Sequence, residues 1–80
     1  MNLMEKYKKE TGHTYYQIGQ ELGITPGYAC KLKTNVYPIK ESIVKRMNKV
    51  RYLKFLMKKN PERAKTYRRE LKEYISSYGN

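Results

Sequence analysis

Apolar residues recur at helical spacing through five blocks of the chain, and each block is bounded by a capping or helix-breaking residue. In the first block Leu3, Met4 and Tyr7 share a face, because side chains three or four residues apart lie on one side of a helix. Asn2 and Glu5 form a capping-box pattern ahead of it, and Thr11-Gly12 end it. Thr14 and Gln17 repeat the capping pattern before Ile18 and Leu22, which predicts a second helix from about Tyr15 to Leu22. Gly23 follows, where the turn needs a positive φ that glycine adopts without steric cost. A third helix is expected from Pro26 to Lys33, with Thr25 as N-cap, Pro26 in the first helical position and Ile24, Ala29 and Leu32 facing inward. Gly19 is expected to be the small residue where the second and third helices cross, and Asn35 to take left-handed geometry after the third.

The second half of the chain predicts a helical hairpin, at about 41–78. Ile43, Val44, Met47, Val50, Leu53 and Met57 form one stripe from Glu41 to Lys59, which Phe55 and Leu56 widen. Asn60-Pro61 breaks this helix, with Asn60 expected to cap the next one and Pro61 to begin it. Ala64, Tyr67, Leu71, Tyr74, Ile75 and Tyr78 form the last stripe. The two stripes can pack on each other, and the hairpin is expected to project beyond the rest. The fold class is all-α: five helices in a single domain over 1–80.

The stretch TYYQIGQELGITPGYACKLKTN, Thr14 to Asn35, resembles the helix-turn-helix of the Cro/lambda-repressor-like (XRE-type) family. The resemblance rests on a small residue, Gly19, then three variable residues, then Gly23 and Ile24, with Ala29 and Leu32 five and eight positions beyond Ile24. It extends from Leu3 to Met47, and Pro38 falls near a proline common in the family. It implies that the third helix enters the major groove of double-stranded DNA. Thr25, Pro26, Gly27, Tyr28, Cys30, Lys31 and Thr34 are the candidates on its outer side, and Tyr37 and Lys40 lie where the family approaches the phosphate backbone. Tyr15 completes the candidate set. Lys31 can donate to guanine O6 and N7, or to a phosphate. Tyr28 suits either the sugar-phosphate backbone or partial core packing. The chain departs from the family twice. Pro26 and Gly27 bring no side-chain donor to positions where relatives read bases, and the fourth helix is about twice the length the family needs.

Charge points the same way. The formal net charge is +11 over 80 residues, and it is uneven: +2 for Met1 to Ile39 and +9 for Lys40 to Asn80. Such a balance favours polyanions. Lys40, Lys45 and Arg46 are expected close to the DNA, and Arg68, Arg69 and Lys72 to face solvent. One cysteine, Cys30, and one histidine, His13, leave no intrachain disulfide, no zinc site and no nucleophile–base pair. Cys30 reads as a small semi-buried residue, with a redox switch near a helix N-terminus and lysines as the alternative, and His13 as a hydrophobic staple onto Ile18. There is no aspartate, and Glu70 and Glu73 are expected to form ion pairs with Arg69 and Lys72. No enzyme activity, metal or cofactor is expected. The start, MNLMEKYKKE, does not read as a signal peptide, and no stretch approaches the ~20 apolar residues of a membrane span, so a cytoplasmic location is expected.

The functional expectation is a sequence-specific DNA-binding transcriptional regulator. It would be a repressor bound to DNA as a homodimer, similar to the compact regulators of phages and mobile elements. The alternatives are an architectural or recombination-accessory protein that grips DNA through its basic hairpin, and a protein-binding, antirepressor-type module.

Overall fold

A computed structural model describes residues 2–79; Met1 and Asn80, the ends of the expected 1–80 domain, lie outside them. Five α-helices run α1 Leu3–Thr11, α2 Tyr15–Leu22, α3 Pro26–Lys33, α4 Glu41–Lys59 and α5 Ala64–Ser76. Short 3-10 turns, Pro61–Arg63 and Ser77–Gly79, flank α5, and there is no strand among the described residues. No helix among them is long and apolar enough to cross a membrane.

The first three helices begin and end on the capping residues. The Asn2 side chain accepts from the Glu5 N–H at 2.8 Å. The Thr14 hydroxyl accepts from the Gln17 N–H at 3.2 Å while Gln17 Oε1 accepts from the Thr14 N–H at 2.9 Å, a complete capping box. The Thr25 hydroxyl accepts from the Tyr28 N–H at 3.1 Å. Each such cap stabilises by about 0.5–2 kcal/mol. Gly12 and Gly23 end α1 and α2 in the left-handed region, at φ 69° and 71°. Asn35, at φ 64°, follows α3. There the Val36 N–H donates to the Lys31 carbonyl at 2.9 Å and the Asn35 N–H to the Leu32 carbonyl at 3.3 Å, the paired bonds of a Schellman ending.

Met4 and Tyr7 of α1, Ile18 and Leu22 of α2, Ala29 and Leu32 of α3, and Ile43 and Met47 of α4 form one buried core. Ile24 packs against it from the turn. Val50 and Leu53 continue the buried line along α4. Phe55, expected to widen that stripe, is instead exposed, because it lies on the far side of α4 from Val50 and Leu53.

Polar ties join elements far apart in sequence. The Glu21 carboxylate accepts from the Tyr7 hydroxyl at 2.5 Å and from Lys54 Nζ at 3.2 Å, and His13 Nδ1 lies 2.5 Å away from it. One half-buried acid on α2 therefore ties α1, the loop before α2, and α4. His13, expected as a staple onto Ile18, belongs to this cluster. Burial, together with the bond to Glu21, raises the Tyr7 phenol above its ordinary range.

The hairpin departs from expectation. Rather than projecting, α5 runs back along α4 and reaches α2. The Arg46 guanidinium donates to the Leu22 carbonyl at 2.8 Å and stacks over the Tyr78 ring at 4.1 Å. A Cβ at Gly23 would lie 2.7 Å from Tyr78 Cδ2, so the last aromatic covers the α2–α3 turn. Burial first, and the neighbouring Tyr74 phenol second, push the Tyr78 hydroxyl up to about 12. Asn60 does not cap the last helix by its side chain: its N–H donates to the Leu56 carbonyl at 2.8 Å and ends α4, and Pro61 opens a 3-10 turn. Among the described residues Glu70 and Glu73 form no ion pair with Arg69 or Lys72; the pairs present involve Glu10, Glu21 and Glu41. Glu41 and Lys45, four residues apart on α4, pair at 3.7 Å.

Candidate nucleic-acid interface

The α2–α3 pair holds α3 by its inner face and leaves the outer face open. Ala29 and Leu32 are fully buried. Thr25, Pro26, Gly27, Lys31 and Thr34 are exposed, and Tyr28 and Cys30 are half-buried. Gly19 is small for a reason other than a crossing of two helices. A Cβ there would run into the Ile24 carbonyl oxygen, so the tight contact is with the backbone of the turn. That backbone is held in place by the Ile24 N–H, which donates to the Gly19 carbonyl at 2.9 Å.

Two clusters flank the open face. Tyr28, in the first turn of α3, and Tyr37, in the loop after it, stack with centroids 5.9 Å apart and planes 25° from parallel. Lys31 Nζ lies 5.5 Å from the Tyr37 centroid. Tyr28 also packs on the core, the second of the two roles anticipated for it, while its ring stacks on Tyr37. The stack holds Tyr37 and Lys31 together at the rim of α3, and the exposed ammonium keeps three donors for a phosphate or a base edge. The Thr34 hydroxyl, in contrast, donates to the Cys30 carbonyl at 3.1 Å and finishes the helix. Its proton is committed to the backbone, which leaves only acceptor capacity for a ligand. Lys40, exposed, precedes α4 and makes no side-chain capping bond.

On the other side Tyr15 packs against the core, and Lys8 Nζ lies over its ring at 4.9 Å. Tyr15, Lys8, Lys9 and Lys33, with Glu5 at the edge, line an open bay of about 310 Å³. Three cations from α1 and α3 thus converge beside a phenol at the start of α2. Sequence reasoning singled out Tyr15 but missed Lys8, Lys9 and Lys33. Their convergence depends on how α1 crosses the pair. The available signal was that Lys8, Lys9 and Lys33 are last-turn cations of α1 and α3.

Asn2 fixes that crossing. Its amide donates to the carbonyls of Leu32 and Lys33 at 2.8 and 3.1 Å, and to Asn35 Oδ1 at 2.8 Å. The residue that caps the start of α1 therefore also satisfies orphan carbonyls at the end of α3. Arg46, expected near the DNA with Lys40 and Lys45, is occupied at the α2 end and by Tyr78, and so is removed from that set. Comparison with family models, curated proteins and solved structures finds no match.

Proposed function

We propose that this chain is a double-stranded DNA-binding transcriptional regulator that lays α3 in the major groove and represses by occupying its site. The observation that carries the reading is the exposed outer face of α3, capped and anchored from within and bracketed by cations on both sides. Lys31 with Tyr37 flanks one edge. Lys8, Lys9 and Lys33 around Tyr15 flank the other. A groove-reading helix needs this arrangement, because phosphate contacts fix its register while its outward side chains meet base edges. Pro26 and Gly27 bring no donor, so Lys31 carries the direct readout, Pro26 offers apolar contact to a thymine methyl, and DNA shape supplies the remainder. The same reading carries a homodimer on two half-sites about one helical turn, near 34 Å, apart.

Selection of bound genomic fragments with the purified protein, followed by footprinting, tests it. The expected result is one recurrent site with two protected half-sites. On that site Lys31→Ala should cost about 1–3 kcal/mol and relax preference at one base position. Equal recovery of all fragments, or full affinity in Lys31→Ala, would refute the placement of α3.

A further inference from the structure

The outer face of α5 is a second cationic surface. Lys65, Arg68, Arg69 and Lys72 follow the i, i+3, i+4, i+7 spacing that gathers side chains on one helix face. All four are exposed, and they line a shared hollow of about 290 Å³. Among the described residues none of them has a carboxylate within ion-pair distance, although Glu70 and Glu73 stand on the same helix. Helical spacing puts Glu70 on the opposite flank, while Glu73, four residues after Arg69, borders the strip without pairing to it. The basic strip is therefore unneutralised, whereas Arg51 and Lys54 of α4 are paired to Glu10 and Glu21.

Its direction follows from Ile75. Ile75 is three residues after Lys72 and seven after Arg68, so the three share a side of α5. Ile75 lines a groove of about 480 Å³ with Tyr16, Gln20, Thr25 and Pro26, between α5 and the start of α3. The strip thus lies on the flank of α5 that looks toward the beginning of α3, and leads away from it along the helix axis. From Lys65 to Lys72 it spans about 10 Å at 1.5 Å per residue. One strand of B-DNA presents a phosphate every 3.4 Å of axis, so the strip matches about three successive phosphates.

We propose that this face of α5 binds the sugar-phosphate backbone of duplex DNA beside the segment read by α3, and so lengthens the footprint of each protein copy. The proposal rests on the DNA-binding reading, and the test keeps the two separable. It reverses the ranking read from sequence: with Arg46 held inside the fold, the α5 trio contributes more to salt dependence than the start of α4.

Salt titrations of binding to a random-sequence duplex of three helical turns, about 30 base pairs, decide it. The strip variant carries Arg68→Gln, Arg69→Gln and Lys72→Gln. A control with Lys6→Gln, Lys58→Gln and Lys59→Gln removes equal charge from exposed positions elsewhere. Each phosphate contact contributes a log–log slope of about −0.9, so the strip variant should flatten the slope by about two units and the control by less than about one. Equal changes in the two variants would overturn the proposal. So would an unchanged DNA slope with lost binding to phosphatidylglycerol vesicles, which would assign the strip to a membrane surface. A flattened slope in the strip variant, with full affinity of Lys31→Ala on the selected site, would uphold the strip and refute the α3 reading instead. If the triple variant melts early, the single variants Arg68→Gln and Lys72→Gln should each flatten the slope by about one unit, and no change in either would overturn the proposal.

Discussion

Replacing three glycines by alanine, one at a time, separates backbone strain from the docking of Tyr78. Gly12 and Gly23 have nearly equal positive φ, 69° and 71°. A Cβ at Gly12 meets nothing within 4 Å, so Gly12→Ala carries only the left-handed penalty, about 1–2 kcal/mol. A Cβ at Gly23 lies 2.7 Å from Tyr78 Cδ2 and 3.1 Å from an Arg46 nitrogen. Gly23→Ala must therefore also displace an aromatic ring and the guanidinium beneath it, an overpacking cost of about 1–3 kcal/mol more. Gly27 is helical and its Cβ would be free, so Gly27→Ala should stabilise by about 0.4–1 kcal/mol. Urea unfolding at fixed slope reads each value directly. In a Tyr78→Ala background the ring contact is gone while that to Arg46 remains, so the cost of Gly23→Ala should fall toward, and stay at or above, that of Gly12→Ala, the signature of coupling between neighbours. Equal costs for Gly12→Ala and Gly23→Ala in the native background would show that Tyr78 does not cover the turn.

Tyr7 and Tyr78 both have raised folded pKa values, so their contribution to stability is complete below the unfolded value near 10 and is lost as pH rises above it; urea midpoints measured between pH 9 and pH 12 should fall, and fall less in Tyr7→Phe, whereas identical pH profiles would place Tyr7 in water. Asn2→Asp keeps the acceptor that caps α1 and removes the amide that holds the end of α3, so it should destabilise by about 1–3 kcal/mol despite the cap; a melting curve like that of the native chain would mean that the bridge to Leu32 and Lys33 contributes nothing.

The helices were legible in the sequence because their signals are local. Asn2, Thr14 and Thr25 cap within three residues of themselves, and Gly12, Gly23 and Asn35 end helices by their own backbone angles. The buried set Met4, Ile18, Leu22, Ala29, Leu32 and Met47 follows from the 3.6-residue period. What stayed hidden depends on partners distant in sequence. Periodicity says that Glu21 borders the apolar face of α2, not that Tyr7 and Lys54 converge on it. It says that Tyr78 belongs to the α5 stripe, not that α5 folds back far enough to meet Gly23. Arg46 shows how a basic residue can be misread: counted by charge it is a phosphate ligand, but its geometry makes it a helix-end donor. The candidate face of α3 was readable from its outward positions, while the bay around Tyr15 required the crossing of α1 to be known.

No residue of α5 is fully buried, although the Tyr78 that follows it covers the α2–α3 turn. Holding Tyr78 on Gly23 closes a loop of more than fifty residues, whose entropy the half-buried stripe must offset. Free energies of local opening are lowest where few apolar atoms are wholly out of water. Native-state hydrogen exchange is therefore expected to show α5 opening before the rest unfolds, with the amides of α1 to α3, whose core does not include it, still protected. Such a result would divide the chain into two tiers of cooperativity: a core that orders α3, and a latch that leaves and returns without disturbing it.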